Sequence, residues 1–144
     1  MSRYAFSLIE LIFVIVLMGV LTGIGFYYSR PDYARQDAQY TLLKLKEARY
    51  RAIGFEGNLP EGCVTLTAAA LSSGDAPSHE IRSTITTPLQ TICFDTLGRP
   101  HNGNDITLTS LRTVDTNISF AYGGKSITII LYPRTGYAII PCSN

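Results

Sequence analysis

Charged side chains and residues that commonly carry chemistry are scarce in this chain of 144 residues. Charged residues make up 16% of it, tryptophan is absent, and there are two histidines and three cysteines. So low a charged share is unusual for a purely soluble protein of this size. The net charge of +1 creates no strong field for nucleic acid or an acidic substrate. We therefore expect no direct binding to nucleic acid.

Catalytic and metal-binding motifs are missing as well. The sequence contains no P-loop, no nucleophile elbow and no H-E-x-x-H pattern. His79 and His101 have no second histidine or cysteine at metal-ligand spacing, so both are predicted to be solvated loop residues. The stretch 95–105, DTLGRPHNGND, lacks the spacing of a calcium loop and is interpreted as turns. We expect no enzymatic activity, no metal and no cofactor.

One long apolar run stands near the N-terminus. No residue from Leu11 to Tyr28 is charged, and this stretch makes a helix of roughly 27 Å, close to the thickness of a bilayer core. Its aromatic end, 26–28, is typical of a membrane interface, whereas a signal peptide has a shorter apolar core and a small-x-small cleavage site. The run predicts a single membrane span at about 8–28. The lone Arg3 before it predicts a cytoplasmic N-terminus and an exported C-terminal part.

Glu10 does not suit a simple anchor. A carboxylate in a membrane helix costs about 2.5–3.5 kcal/mol at the bilayer centre and less toward an edge. Two interpretations follow from its position alone. Glu10 either sits at the cytoplasmic interface without a partner, or it pairs with a positive charge inside the membrane.

The segment AFSLIEL, 5–11, followed by this apolar run, resembles the N-terminus of type IV prepilins and pseudopilins. The resemblance implies that a prepilin peptidase removes a leader of residues 1–5 by cutting between Ala5 and Phe6, and that Phe6 is then N-methylated. It also implies that Glu10 pairs with the Phe6 amine of a neighbouring subunit during filament assembly. The family usually has glycine before the cut, whereas this chain has Ala5.

Helix flexibility is expected at two places. Gly19 and Gly23 form a G-x-x-x-G pattern, which allows close helix approach, and in the related filaments this part of the helix loosens on assembly. The first proline is Pro31, which predicts a kink or break near 30–31.

The stretch 32–53 has the period of an amphipathic helix that ends at Gly54. Its core face is predicted to consist of Ala34, Ala38, Leu42, Leu45, Ala48 and Ala52, widened by Leu43, Tyr50 and Ile53. The opposite face is predicted to carry mostly charged residues, namely Arg35, Asp37, Lys44, Lys46, Glu47 and Arg51. The resemblance implies that this is the exported half of one long helix, 6–54.

Residues 55–144 are predicted to form an exported β-rich domain, so the fold class is α+β: a long helix packed on a C-terminal antiparallel sheet. The predicted strands are 63–67, 90–95, 105–111, 117–122, 126–132 and 136–140, with tight turns at 122–125 and 132–136. The polar stretch 71–87 is predicted to be a loop with at most a short strand at 81–85. All three cysteines, Cys63, Cys93 and Cys142, lie in this domain, and one pair could form a disulfide that the spacing does not assign.

A second set of residues is similar to the H-type minor pseudopilins of type II secretion: Ala48, Arg49, Ala52 and Ile53 at the helix end, and Phe94, Asp95 and Gly98 at a strand–turn. Phe94 should point into the core while Asp95 and Gly98 make a turn. The resemblance implies a structural subunit of a periplasmic filament, with other pilin-like subunits and an inner-membrane assembly platform as partners. A minor pilin of a type IV pilus or DNA-uptake system, and a signal-anchored periplasmic binding domain, are the alternatives. Neither the position in a filament nor the cargo is specified by these residues.

Overall fold

The computed structural model describes residues 7–28, 31–54, 62–73, 79–103 and 105–142. The chain divides into two compact units, residues 1–31 and residues 32–144. The first unit contains one helix, α1, Leu8–Tyr28. Helix α2, Tyr33–Gly54, opens the second unit, and Pro31 and Asp32 between the two helices are not helical. The chain therefore leaves the helical conformation where proline was expected to interrupt it.

The second unit is an α+β domain with two antiparallel sheets. After α2 come β1 (Cys63–Thr65), the short helix α3 (Ala68–Ser72), β2 (Thr84–Thr86), β3 (Thr91–Phe94), β4 (Pro100–Asn102), β5 (Thr116–Tyr122), β6 (Lys125–Leu131) and β7 (Ala138–Ile139). The first sheet has the order β1-β3-β4 and the second the order β2-β5-β6-β7. The α+β prediction is therefore correct, but the prediction that the strands form a single antiparallel sheet is wrong.

Helix α2 packs on strands of both sheets and buries its small-residue face. Ala34 and Ala38 are fully buried, and the core continues through Leu45, Ala48 and Ala52 as predicted. Small side chains let the sheets approach the helix, and large ones fill the space between: Phe94, Phe120, Ile92, Ile118, Ile129 and Leu131 are at most 2% exposed. Each such side chain contributes about 1.5–3 kcal/mol of burial free energy.

Both predicted turns are present. Tyr122 pairs with Lys125 across Gly123 and Gly124, which both have positive φ, as a two-residue hairpin between twisted strands requires. In the turn at 132–136, the Gly136 amide donates to the Tyr132 carbonyl oxygen over 2.9 Å.

Three further expectations are corrected. Residues 105–111 form turns rather than a strand, and only Leu111 makes an isolated bridge, to His101. The short strand expected at 81–85 lies instead at Thr84–Thr86, and part of the expected loop is α3. The residues expected to widen the core face of α2 are exposed, because that face is one stripe wide; they are Leu43, Tyr50 and Ile53.

Candidate functional site

Helix α1 exposes apolar side chains on every face. All described side chains from residue 7 to residue 25 are exposed. The segment Leu8–Gly25 has a mean hydropathy of 2.5 and is long and apolar enough to cross a membrane. Exposed hydrocarbon on this scale is unfavourable in water, and a helix that is apolar all round suits a bilayer or a packed helical assembly. By length and composition, α1 is thus compatible with single-pass anchoring.

Glu10 is the only charged residue of α1 and lies in its first turn. Its side chain is exposed, and its amide donates to the Ser7 carbonyl oxygen over 3.0 Å, which starts the helix. A carboxylate at this end of a helix is favoured by the helix dipole, but that effect stabilises by only about 0.3–1 kcal/mol. The expected cleavage and methylation sites, Ala5 and Phe6, lie outside the described residues.

Two glycines of α1, Gly19 and Gly23, lie on the side of the helix away from Glu10. Gly19 follows Glu10 by two and a half turns, and Gly23 lies one turn further on. A Cβ atom added at Gly19, Gly23 or Gly25 would meet nothing within 4 Å. No contact within the described part of this chain therefore requires glycine at these positions, and the glycine strip formed by Gly19 and Gly23 is open to a close neighbour.

Asp37 was predicted to face solvent, but it is fully buried, and its carboxylate accepts hydrogen bonds from the segment before β2. Its Oδ2 accepts hydrogen bonds from the Ser83 amide (2.8 Å), the Ser83 hydroxyl (2.7 Å) and the Arg82 amide (3.0 Å). His79 Nε2 lies 2.7 Å from Oδ1, and the His79 ring stacks against Tyr40 with centroids 4.6 Å apart. One carboxylate thus fixes an otherwise irregular segment to α2.

Electrostatics favour the ionised form of Asp37. Burial by itself raises the pKa of the carboxyl group, but the hydrogen bonds from Ser83, His79 and the Arg82 amide outweigh it and hold the pKa below its usual value. A signal for this role was present in the sequence. Asp37 lies three residues after Ala34 and four before Thr41, which places it on the buried face.

A second polar cluster surrounds Asp95. Its Oδ1 accepts from the Leu97 and Arg99 amides over 3.0 and 2.7 Å, and its Oδ2 lies 2.7 Å from Arg99 Nε. The predicted turn is therefore present, with Gly98 at a φ of 76° and the Phe94 side chain in the core. Burial raises the pKa of Asp95, but the contacts with Arg99 and His101 lower this pKa by more than burial raises it. The net shift of the pKa is therefore downward.

His101 is buried, at 2% exposure, so its prediction as a solvated residue is wrong. Its Nε2 lies 3.4 Å from Asp95 Oδ2 and its Nδ1 lies 2.9 Å from Ser110 Oγ. Ser110, His101 and Asp95 thus contact one another in the same order as the residues of a serine–histidine–aspartate catalytic triad. However, Ser110 Oγ also donates to the Asp105 and Thr107 carbonyl oxygens and accepts from the Thr107 amide. Its hydroxyl proton is shared within the loop, so the arrangement anchors the 105–110 turns to β4 rather than presenting a nucleophile.

The disulfide left open by the sequence joins Cys63 of β1 to Cys93 of β3. These two residues are direct partners in the antiparallel pair. Cys142 is exposed and free. No cluster of three or more histidine, cysteine, aspartate or glutamate side chains that could hold a metal ion is found within the described ranges.

Comparison of the chain with protein-family models, with curated proteins and with solved structures found no match. The resemblance to prepilins and pseudopilins therefore rests on the N-terminal motif, the residues at the end of α2, the strand–turn residues and their spacing.

Proposed function

We propose that this protein is a structural subunit of a periplasmic filament, of the minor pseudopilin kind found in type II secretion. The observation that carries the proposal is Glu10: a single carboxylate in an otherwise uncharged helix, at the fifth position counted from Phe6. A helix that served only as an anchor would be more stable in a bilayer without it.

The proposed mechanism uses charge pairing between subunits. Cleavage after Ala5 gives Phe6 a free α-amine, which is the cation that Glu10 otherwise lacks. An unpaired charge in hydrocarbon is costly, and pairing offsets that cost for both groups. Pairing between Glu10 and the Phe6 amine of a parallel neighbour displaces the two helices by four residues, or about 6 Å. The glycine strip of α1 then faces a different neighbour, since it lies on the side away from Glu10.

Two features of the second unit support export of that unit. The Cys63–Cys93 disulfide is typical of an oxidising compartment. An α+β domain that buries its own core needs no membrane contact of its own. The proposed arrangement is an inner-membrane precursor with a cytoplasmic N-terminus and a periplasmic C-terminal domain, which prepilin peptidase processes and an assembly platform extracts.

The test begins with the mature N-terminus. Mass spectrometry of membrane-extracted protein is expected to find N-methyl-phenylalanine from position 6, and an intact Met1 would overturn the proposal. Glu10→Gln should leave cleavage intact but reduce incorporation into filaments at least tenfold, measured by cross-linking and pelleting of sheared filaments. Glu80→Gln makes the same chemical change at an exposed residue of the second unit and should have no effect.

A further variant and a phenotype refine the assignment. Ala5→Gly should speed cleavage, because glycine is the family's usual residue there. Loss of protein secretion on deletion would assign the chain to type II secretion, whereas loss of transformation or pilus formation would favour a minor pilin of a type IV pilus or DNA-uptake system. Retention of Met1 together with an inert Glu10 would favour a signal-anchored periplasmic binding domain.

A further inference from the structure

A groove of about 510 Å³ runs between one flank of α2 and the end of the four-stranded sheet. The α2 side consists of Arg35, Gln39, Leu42 and Lys46, which recur every three or four residues. The opposite side is the segment 138–142, which begins in β7, and Ile127 of β6 also lines the groove. This flank of α2 is separate from the flank that holds His79 through Asp37.

The groove borders a sheet edge that has no strand partner in the described structure. Strand β7 is last in its sheet and pairs with β6 alone. The Tyr132 amide donates to the Tyr137 carbonyl oxygen over 2.9 Å, which places these two residues at a hydrogen-bonded position of the ladder. Because such pairs alternate in antiparallel sheets, Ile139 faces β6, while the backbone N–H and C=O groups of Ala138 and Ile140 point to the free edge.

The charge along the groove is positive. Arg35 and Lys46 form none of the side-chain ion pairs found among the described residues. The neighbouring acids each have another cation as ion-pair partner. Asp32 Oδ2 lies 3.2 Å from Lys125 Nζ, although Asp32 Oδ1 also accepts the Arg35 amide and the Arg35 charge acts on this carboxylate. Glu47 pairs with Arg51 and Lys44. Two cations therefore flank apolar side chains, next to a free strand edge.

We propose that this groove binds an extended acidic segment of a partner protein, which adds to the free edge of β7 and places carboxylates against Arg35 and Lys46. Main-chain pairing with an exposed edge supplies affinity in such complexes, and pockets for alternate side chains supply specificity. The proposal does not depend on whether the chain assembles into a filament.

The helix geometry specifies the spacing of the acids. Arg35 and Lys46 are separated by about 16 Å along the axis of α2. An extended strand rises about 3.3 Å per residue and turns the same face to the groove every second residue. Acids four residues apart span about 13 Å on one face, and the long arginine and lysine side chains bridge the remainder. An apolar residue midway between the acids would meet Leu42 and Ile127.

The test uses the full-length protein in a nonionic detergent and a fluorescent nine-residue peptide, Thr-Thr-Glu-Thr-Val-Thr-Glu-Thr-Thr. Fluorescence anisotropy should show saturable binding that weakens as salt is added. A peptide of the same composition with the glutamates placed beside the valine should bind at least tenfold more weakly, because its acids and its apolar side chain lie on opposite faces. Equal binding of the two peptides, or no binding of the first up to millimolar concentration, would overturn the proposal.

Charge reversal locates the site. The double variant R35E/K46E should weaken peptide binding at least tenfold, whereas R134E, at an exposed arginine of the 132–136 turn, should change it less than twofold. An acid at position 35 lies in the first turn of α2, where the helix dipole favours it, so folding should be retained. The neutral variant R35Q/K46Q guards against misfolding and should show an intermediate loss. Equal effects of R35E/K46E and R134E would contradict the assignment.

Amide hydrogen exchange distinguishes the two edges of the sheet. By the same alternation, the Ile85 amide of β2 points outward at the far edge, which makes Ile85 a matched control for Ile140. Bound peptide should slow exchange at Ile140 and leave Ile85 unchanged. Protection at Ile85 alone, or self-association of the chain that the peptide does not displace, would exclude β7 as the binding edge.

Discussion

At the scale of single residues, the aspartates at positions 37 and 95 show how the same side chain organises two irregular segments. Each carboxylate is buried and accepts backbone amides from a stretch that has no ladder of its own. Buried backbone amides need partners, and an ionised carboxylate can satisfy several at once. Where the chain turns, the carboxylates of these two residues therefore accept the backbone hydrogen bonds that a strand or helix would otherwise provide.

Asp37→Asn should destabilise the second unit by about 2–4 kcal/mol, because the neutral amide loses charge-assisted hydrogen bonds and brings its own donors toward Ser83 and Arg82. The measurement is urea unfolding followed by circular dichroism. Asp115→Asn makes the same change at an exposed position and should stay within about 0.5 kcal/mol of wild type. Equal stability of the two variants would mean that Asp37 does not hold the 79–83 segment.

At Gly136, the lack of space for a side chain requires glycine. Its φ is 60°, and a Cβ atom there would overlap the Gly98 carbonyl oxygen. Gly103 has a similar φ of 75° but open space around it. Gly103→Ala should therefore cost only the conformational penalty of about 1–2 kcal/mol, and Gly136→Ala clearly more. Thermal unfolding of both variants checks the difference, and equal costs would show that the backbone can move aside.

At the scale of elements, the small sheet β1-β3-β4 has short strands and contains a covalent link between two of them. The Cys63–Cys93 bond joins positions 30 residues apart at the start of β1 and near the end of β3. A strand pair of this size is marginal by itself, since its strands are three to four residues long. The disulfide compensates by restricting the unfolded chain.

Replacement of both cysteines, C63S/C93S, should lower the free energy of unfolding by about 3–4 kcal/mol, as expected for a closed loop of this length. Denaturant titration under non-reducing conditions measures the loss. Cys142→Ser is the matched control, because this thiol is exposed and unbonded, and it should leave stability unchanged. A large effect of Cys142→Ser would point to a role of this thiol that the fold does not reveal.

At the scale of the whole molecule, acid should unfold the second unit through the same carboxylates. Asp37 and Asp95 have lowered pKa values in the folded state, so their stabilisation is fully present above the unfolded-state pKa of about 3.9. It is lost as the pH falls through the lower, folded-state pKa values, because protonation then favours the unfolded chain.

The expected result is a urea midpoint that falls steeply between about pH 5 and pH 2. In the variant D37N/D95N the midpoint should be lower at pH 5 and should change less over the same range. A double variant with the wild-type pH dependence would show that other groups control acid unfolding.

Local patterns predicted most elements of the second unit. The three- and four-residue spacing of alanine and leucine identified α2, and short β-branched runs identified β1, β3, β5, β6 and β7 to within a few residues. The prediction of a strand at 105–111 is wrong. Alternating threonine and aliphatic residues there have the pattern of a strand, whereas Ser110 and Asp105 form local hydrogen bonds that favour turns. The prediction that Asp37 faces solvent is wrong because it rests on the charge of the residue, whereas its position on the helix places it among buried residues.

The sequence by itself determined the apolar span, the lone Glu10 within it, the break at Pro31 and the α+β character of the remainder. These follow from composition and short-range periodicity, which act along the chain. Only the tertiary structure decided the Cys63–Cys93 pair, the division into two sheets, the burial of His101, and the groove beside β7. Each of these depends on contacts between residues that are far apart in sequence and come together around α2 and the sheets. A local sequence pattern does not predict such contacts.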